Sequence, residues 1–112
     1  MRRMWLVLAA ATAYAAGPQF ELSDTAGVRH SAQEWRDKKA VVVFFTMTDC
    51  PLSNGYVPEM NRIAAEYSRR GVAVFAAHAD ATATDAALKA HAEEFGLGFP
   101  VVLDRKLVLT RA

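Results

Sequence analysis

The chain has one cysteine, Cys50, which stands between a run of apolar residues and Pro51. A cysteine in the first turn of a helix faces unpaired backbone N–H groups and the positive end of the helix dipole, and both stabilise the thiolate. The thiolate is the nucleophilic form of the side chain, so this position favours a reactive thiol. Pro51 makes the turn rigid, and the Ser53 hydroxyl is placed to donate a hydrogen bond to the sulfur. We therefore predict Cys50, Pro51 and Ser53 as the residues of a catalytic site.

The competing interpretation of Cys50 is a buried, unreactive cysteine, because free cysteine is among the most buried residue types. Ser53 is equally compatible with an ordinary residue in the first turn of a helix. His78 and Asp80 follow another apolar run and offer a base or charge partner for Cys50, or ligands for a metal shared with it. Their spacing matches no metal-binding motif, which favours a histidine that merely ends a strand. The sequence predicts no metal site and no cofactor.

Apolar runs at residues 40–47, 71–80 and 99–104 predict three strands with helical patterns between them. The first run is apolar on both faces, which is typical of a central, parallel strand. The strand–helix–strand order places the strands parallel in one sheet. Because reactive groups gather beyond the carboxyl ends of the strands in such sheets, we expect Cys50 and His78 at the same edge.

The helix after Cys50 is predicted to run to near Gly71, with Thr48 or Asp49 as its cap. Pro58 lies inside the pattern and is predicted to bend the helix without ending it, because the apolar periodicity continues beyond it. The stripe predicted to be buried consists of Tyr56, Met60, Ile63 and Tyr67.

Two other segments have local signals. Residues 20–35 predict a short strand or hairpin that turns at Ala26 and Gly27. The second helix is predicted to be capped by Thr84 or Asp85 and to end at Gly96, as befits these residue types. The aromatic residues predicted to lie in the core are Trp35, Phe44, Phe45, Tyr67 and Phe75, and His30 and His91 are predicted at the surface.

The first residues, "MRRMWLVLAAATAYAAGP", combine two arginines, a short apolar stretch and small residues. This order is typical of a secretory signal peptide, here residues 1–15, followed by one domain at residues 16–112. The apolar stretch is shorter than the ~20 residues that cross a bilayer, so no stable membrane anchor is expected after processing. We expect an exported protein, periplasmic or extracellular. Basic residues form no patch, which argues against nucleic acid as a partner.

Four stretches of the chain resemble the thioredoxin superfamily, and within it the redoxin branch of alkyl hydroperoxide reductases and thiol-specific antioxidant (peroxiredoxin-like) proteins. They are "FELSDTAGVRHSAQEW", "VVVFFTMTDCPLS", "GVAVFAAHAD" and "FPVVLD". Pro58, eight residues after Cys50, also falls where thioredoxins carry the proline of the active-site helix. The resemblance implies a thioredoxin-like α/β fold, in which helices flank a central and mainly parallel sheet.

The chain departs from the family pattern in three places. Ser53 stands where thioredoxins have their second cysteine, which removes the internal dithiol cycle. Met47 stands where peroxiredoxins carry threonine or serine, which puts peroxide activation in doubt. After "FPVVLDRKLVLTRA" the family continues with a cis-proline segment, a terminal hairpin and a last helix, so we expect a domain incomplete at its C-terminus. Arg105 and Arg111 precede the position of the peroxiredoxin arginine and are not predicted to take its role.

The resemblance implies an exported thiol-dependent oxidoreductase in which the Cys50 thiolate attacks a disulfide or a peroxide. An external thiol reductant or a partner protein then completes the cycle, because the chain holds no other cysteine. The alternatives are a thioredoxin-like binding module for a partner protein or for copper, with Cys50 and His78 as ligands, and an inactive redoxin domain.

Overall fold

A computed structural model describes residues 19–111, and the signal peptide expected at residues 1–15 lies outside this range. Within it the chain alternates strands and helices, and the α/β class expected from the sequence is confirmed. The elements are β1 (Glu21–Ser23), β2 (Arg29–Ser31), a 3₁₀ turn (Ala32–Trp35), β3 (Ala40–Thr46), α1 (Pro51–Gly55), α2 (Val57–Ser68), β4 (Val72–His78), α3 (Asp85–Glu94) and β5 (Val101–Leu103). None of the helices in residues 19–111 is both long enough and apolar enough to cross a bilayer.

The main sheet has the order β3-β4-β5, and both neighbouring pairs are parallel, as predicted. Thr46 of β3 lies opposite His78 of β4, and His78 lies opposite Leu103 of β5. The prediction that β3 is central is wrong for the described part of the chain, where β4 is central and β3 lies at an edge. Apolar residues on both faces of β3 misled the prediction, since Phe45 is 56% exposed.

Two clusters of buried residues hold the sheet, one against each face. The first contains Phe20, Leu22, Phe75, Ala77 and Val102, and the second contains Ala64, Ala76, Phe99 and Val101. Trp35 stacks on Phe75 with ring centroids 4.5 Å apart, and Phe44 packs against the second cluster. The core predictions for these three aromatic residues are confirmed. Those for Phe45 and Tyr67 are wrong, because both side chains are exposed.

The predicted single helix after Cys50 is two helices that meet at Tyr56. Pro58 is the second residue of α2, where the missing N–H of proline leaves no helical hydrogen bond unmade. A new helix start thus accommodates the proline, and the prediction of a continuous helix is wrong. The buried residues of α2 are Val57 and Ala64, whereas Tyr56 is 55% exposed.

The predicted hairpin at the start of the domain is confirmed as the antiparallel pair β1–β2. Its turn places Gly27 at φ 80°, a conformation that favours glycine. The Asp24 carboxylate accepts hydrogen bonds from the backbone N–H groups of Ala26 and Val28. The helix predicted to be capped by Thr84 or Asp85 is α3, and Thr84 is its cap. The Thr84 hydroxyl accepts a hydrogen bond from the Ala87 N–H.

His30 lies between two carboxylates, contrary to the prediction of a simple surface residue. Its Nε2 is 2.8 Å from Asp24 Oδ2, and its Nδ1 is 3.0 Å from Glu34 Oε2. Burial alone lowers the pKa of His30, but its hydrogen bonds to Asp24 and Glu34 outweigh burial and raise the pKa above its ordinary value. Both ring nitrogens then donate, so the arrangement is that of an imidazolium ion.

We expect this arrangement to make the stability of the fold depend on pH. A histidine whose pKa is raised by folding contributes stability fully below its unfolded pKa of about 6.5, and loses it as pH rises through the folded pKa. Urea titrations between about pH 5 and 9 should therefore show that the wild type has a higher free energy of unfolding than His30→Gln, and that this difference shrinks as pH rises. The pKa of Asp24 is lowered, its hydrogen bonds outweighing burial, so Asp24 stays ionised in this window. A difference in the free energy of unfolding that does not change with pH would contradict the prediction.

Candidate active site

Cys50 lies at the junction between β3 and α1, as the sequence predicts, and its thiol is free and partly exposed. It is itself the cap of α1, and Pro51 is the first helical residue. The prediction of Thr48 or Asp49 as the cap is wrong. The Cys50 Sγ accepts a hydrogen bond from the backbone N–H of Ser53 at 3.5 Å. A donor aimed at the sulfur stabilises its negative charge when the thiol ionises.

Ser53 reaches the sulfur through its backbone and not through its hydroxyl. The hydroxyl oxygen is buried and has no hydrogen-bond partner among residues 19–111. The prediction that the Ser53 hydroxyl donates to the Cys50 sulfur is therefore wrong, although Ser53 lies beside Cys50 as expected. The third residue of a helix turns its N–H toward the cap side chain, which explains the observed geometry.

The loop that leads into Cys50 is held by Asn54, a residue that the sequence analysis missed. The Asn54 Nδ2 donates to the Thr48 carbonyl at 3.0 Å, and the Asn54 backbone N–H donates to the Cys50 carbonyl at 3.0 Å. On the other side, Asn54 Oδ1 lies 2.8 Å from Nε2 of His91 in α3. His91, predicted at the surface, is partly buried in the structure, and burial lowers the pKa of His91 below its ordinary value.

His78 ends β4 and is 2% exposed. Neither of its ring nitrogens has a hydrogen-bond partner among residues 19–111, so it makes no hydrogen bond to the Cys50 thiol. Burial lowers the pKa of His78 even though the nearby Asp80 carboxylate acts in the opposite direction. The burial of the ring and its lack of a hydrogen bond to Cys50 favour the interpretation of a histidine that ends a strand over that of a base for Cys50.

The other charged residues of this edge organise loops. Asp80 accepts hydrogen bonds from the hydroxyl and backbone N–H of Thr82, and these bonds lower the pKa of Asp80. Arg105 donates to the Ala83 carbonyl and pairs with Asp85, so it braces the loop before α3. In the described part of the chain, no three His, Cys, Asp or Glu side chains are grouped so that they hold a metal ion.

Exposed apolar side chains flank Cys50 in the sequence. Met47 is 53% exposed, Leu52 is 71% exposed and Tyr56 is 55% exposed. Exposed apolar side chains favour contact with an apolar partner surface. The site thus combines a free thiol, a backbone donor and an apolar surrounding.

Comparison with known proteins agrees with this geometry. The model of the AhpC/TSA family matches residues 14–112. The thiol-disulfide oxidoreductase ResA of Geobacillus thermodenitrificans (strain NG80-2) is 35% identical over 98 residues, which cover 85% of this chain and 55% of that protein. The chain therefore spans about half the length of this relative.

Two solved structures share the fold. The hypothetical protein SMc02350 of Sinorhizobium meliloti 1021 has a TM-score of 0.73 at 28% identity, covering 83% of this chain and 54% of that one. A secreted disulfide oxidoreductase of Mycobacterium tuberculosis, described as homologous to E. coli DsbE, has a TM-score of 0.69 at 21% identity, covering 83% and 66%. These comparisons confirm the thioredoxin-like fold, and the chain belongs to the AhpC/TSA family, in the redoxin branch of the thioredoxin superfamily.

Proposed function

We propose that this chain is a thiol-disulfide oxidoreductase whose nucleophile is Cys50. The observation that carries the proposal is a free, partly exposed sulfur that accepts the Ser53 N–H at the start of α1. The Cys50 thiolate attacks one sulfur of a disulfide in the substrate and forms a new S–S bond with it. The original S–S bond breaks, and the released sulfur leaves as a thiolate that takes a proton from water. The product is a mixed disulfide between Cys50 and the substrate.

An external thiol completes the cycle, because the 112 residues contain no second cysteine. A reductant or partner protein attacks the mixed disulfide and regenerates the Cys50 thiolate. Ser53 stands at the place of a resolving cysteine, and its buried hydroxyl has no redox chemistry of its own. The apolar side chains of Met47 and Leu52 favour a disulfide carried by a polypeptide over a small polar one.

Attack on a peroxide is the second candidate, and membership in the AhpC/TSA family favours it. The thiolate would take one oxygen to form a sulfenic acid, and the other oxygen would leave as an alcohol or water. Met47 is exposed and offers no hydroxyl at the place where peroxiredoxins carry threonine or serine. This difference makes the disulfide the preferred substrate in our proposal.

We also propose that the protein acts outside the cytoplasm, in the periplasm or extracellularly. The order of arginines, apolar stretch and small residues before residue 16 supports this. The mass of the chain recovered after expression in a bacterium with a secretion apparatus tests it. Removal of about the first 15 residues is expected, and an unprocessed chain in the cytoplasm would contradict export.

The reactivity of Cys50 tests the redox proposal. We expect iodoacetamide to alkylate Cys50 in the folded full chain at pH 7, and faster than a free cysteine measured alongside. Incubation with glutathione disulfide should add one glutathione to the wild type and none to Cys50→Ser. Hydrogen peroxide in place of glutathione disulfide tests the second candidate function, because attack on the peroxide would convert Cys50 to a sulfenic acid. A thiol that reacts only after unfolding would contradict both candidates.

A further inference from the structure

We propose that His91 and Asn54 form a positioning relay for the reactive thiol. The relay runs from the imidazole of His91 through the side-chain amide of Asn54 to the Thr48 carbonyl, two residues before Cys50. The inference rests on the proposed role of Cys50 and adds two residues that act through the loop and not on the substrate.

Only one assignment of donors and acceptors fits the hydrogen bonds of the relay. The Asn54 Nδ2 donates to the Thr48 carbonyl, so Asn54 Oδ1 faces His91 Nε2 as an acceptor. The Nε2 atom of His91 must therefore carry the hydrogen. The His91 ring also packs against Phe95, the residue that follows α3, with centroids 4.7 Å apart. This contact holds the ring in the orientation that the hydrogen bond requires.

Asn54 holds the chain on both sides of Asp49. Its side chain binds the Thr48 carbonyl, and its backbone N–H binds the Cys50 carbonyl. The backbone bond is the first helical bond of α1, so the side-chain bond to Thr48 is what Asn54 itself adds to the path of the loop and to the position of the Cys50 sulfur relative to the Ser53 N–H. The α1 helix has only five residues, so its own hydrogen bonds give the loop little support. The link to α3, 37 residues away in sequence, supplies that support.

Alkylation of Cys50 tests the relay, with variants chosen to keep or remove its donor. In His91→Gln the amide nitrogen of glutamine replaces Nε2 at nearly the same distance from the backbone. In His91→Asn the shorter side chain falls short of Asn54. We expect the alkylation rate at pH 7 to fall about fivefold in His91→Asn and Asn54→Leu, the scale of one lost hydrogen bond, and to stay within about twofold in His91→Gln.

Asn61 offers a matched control. Its Nδ2 donates to the Gly96 carbonyl and its Oδ1 accepts the Gly98 N–H, both at 2.8 Å, so it joins α2 to the segment after α3 without contacting the Cys50 loop. Asn61→Leu should lower the melting temperature and leave the alkylation profile unchanged. The double variant His91→Asn/Asn54→Leu should react no more slowly than either single variant, because both changes break one relay.

The outcomes separate the relay from the proposed function. If the wild-type thiol reacts like free cysteine, the proposed function fails and the relay with it. If the wild type is activated but His91→Asn and Asn54→Leu keep the same profile, the relay alone is wrong. An equal loss of reactivity in Asn61→Leu would also overturn it, because general loosening would then explain the effect. Far-ultraviolet circular dichroism confirms that each variant is folded before its rate is compared.

Discussion

Ser53→Cys is expected to produce an internal disulfide with Cys50 and to leave the oxidised chain without a free thiol. Residues three apart in a helical turn lie on the same side, and the Cys50 sulfur already contacts the Ser53 N–H. The Ser53 hydroxyl is buried without a hydrogen-bond partner in residues 19–111, so a thiol in its place leaves no protein group unpaired. Mass spectrometry of the air-oxidised variant should show the loss of two hydrogen atoms, and a thiol assay should show no reaction.

The same substitution should change the catalytic cycle. In the wild type an external thiol must find the mixed disulfide, whereas in Ser53→Cys the new thiol resolves it within the molecule. Intramolecular attack in a fixed geometry is far faster than encounter from solution, so reduction of insulin by dithiothreitol should rise roughly tenfold or more. Ser53→Ala is the control, and it should keep the single-thiol behaviour. Two persistent free thiols in Ser53→Cys would show that the residues do not approach closely enough.

Local patterns were enough to predict several of the regular elements. β4 and α3 follow from an apolar run and from Thr84 as a cap, and both depend on neighbours within a few residues. The position of Cys50 at the start of α1 follows in the same way from the apolar run before it and from Pro51 after it. These signals lie within one or two turns of chain, so no knowledge of the tertiary structure is needed.

Features that depend on distant residues escaped the sequence analysis. The partner of Asn54 lies 37 residues away, and no spacing pattern links an asparagine to a histidine. The exposure of Phe45 depends on which elements cover that face of β3, and its apolar character says nothing about them. The break at Tyr56 was also missed. The apolar periodicity continues from α1 into α2, but the helical backbone is interrupted at this residue.

Asp104 is the largest such omission, since the sequence shows only an acidic residue that ends a strand. In the structure its side chain is fully buried. Its carboxylate accepts the backbone N–H groups of Val108, Leu109 and Thr110, and also the Thr110 hydroxyl. The segment after β5 is thereby wound into turns around one side chain. Leu109 is carried in this way onto the first core cluster.

Asp104→Ala is therefore expected to lower the free energy of unfolding by about 3 kcal/mol or more, because several buried donors lose their acceptor and each such loss costs about 1–3 kcal/mol. The substitution leaves four donors without their acceptor and frees the segment that places Leu109 on the core. Thr110→Val is the matched control, since it removes one donor and keeps the carboxylate with three, and should cost about 1 kcal/mol. Urea titrations of both variants measure the difference. Equal losses of unfolding free energy in the two variants would mean that water replaces the carboxylate as acceptor for the backbone N–H groups. The turns around Asp104 would then not stabilise the fold.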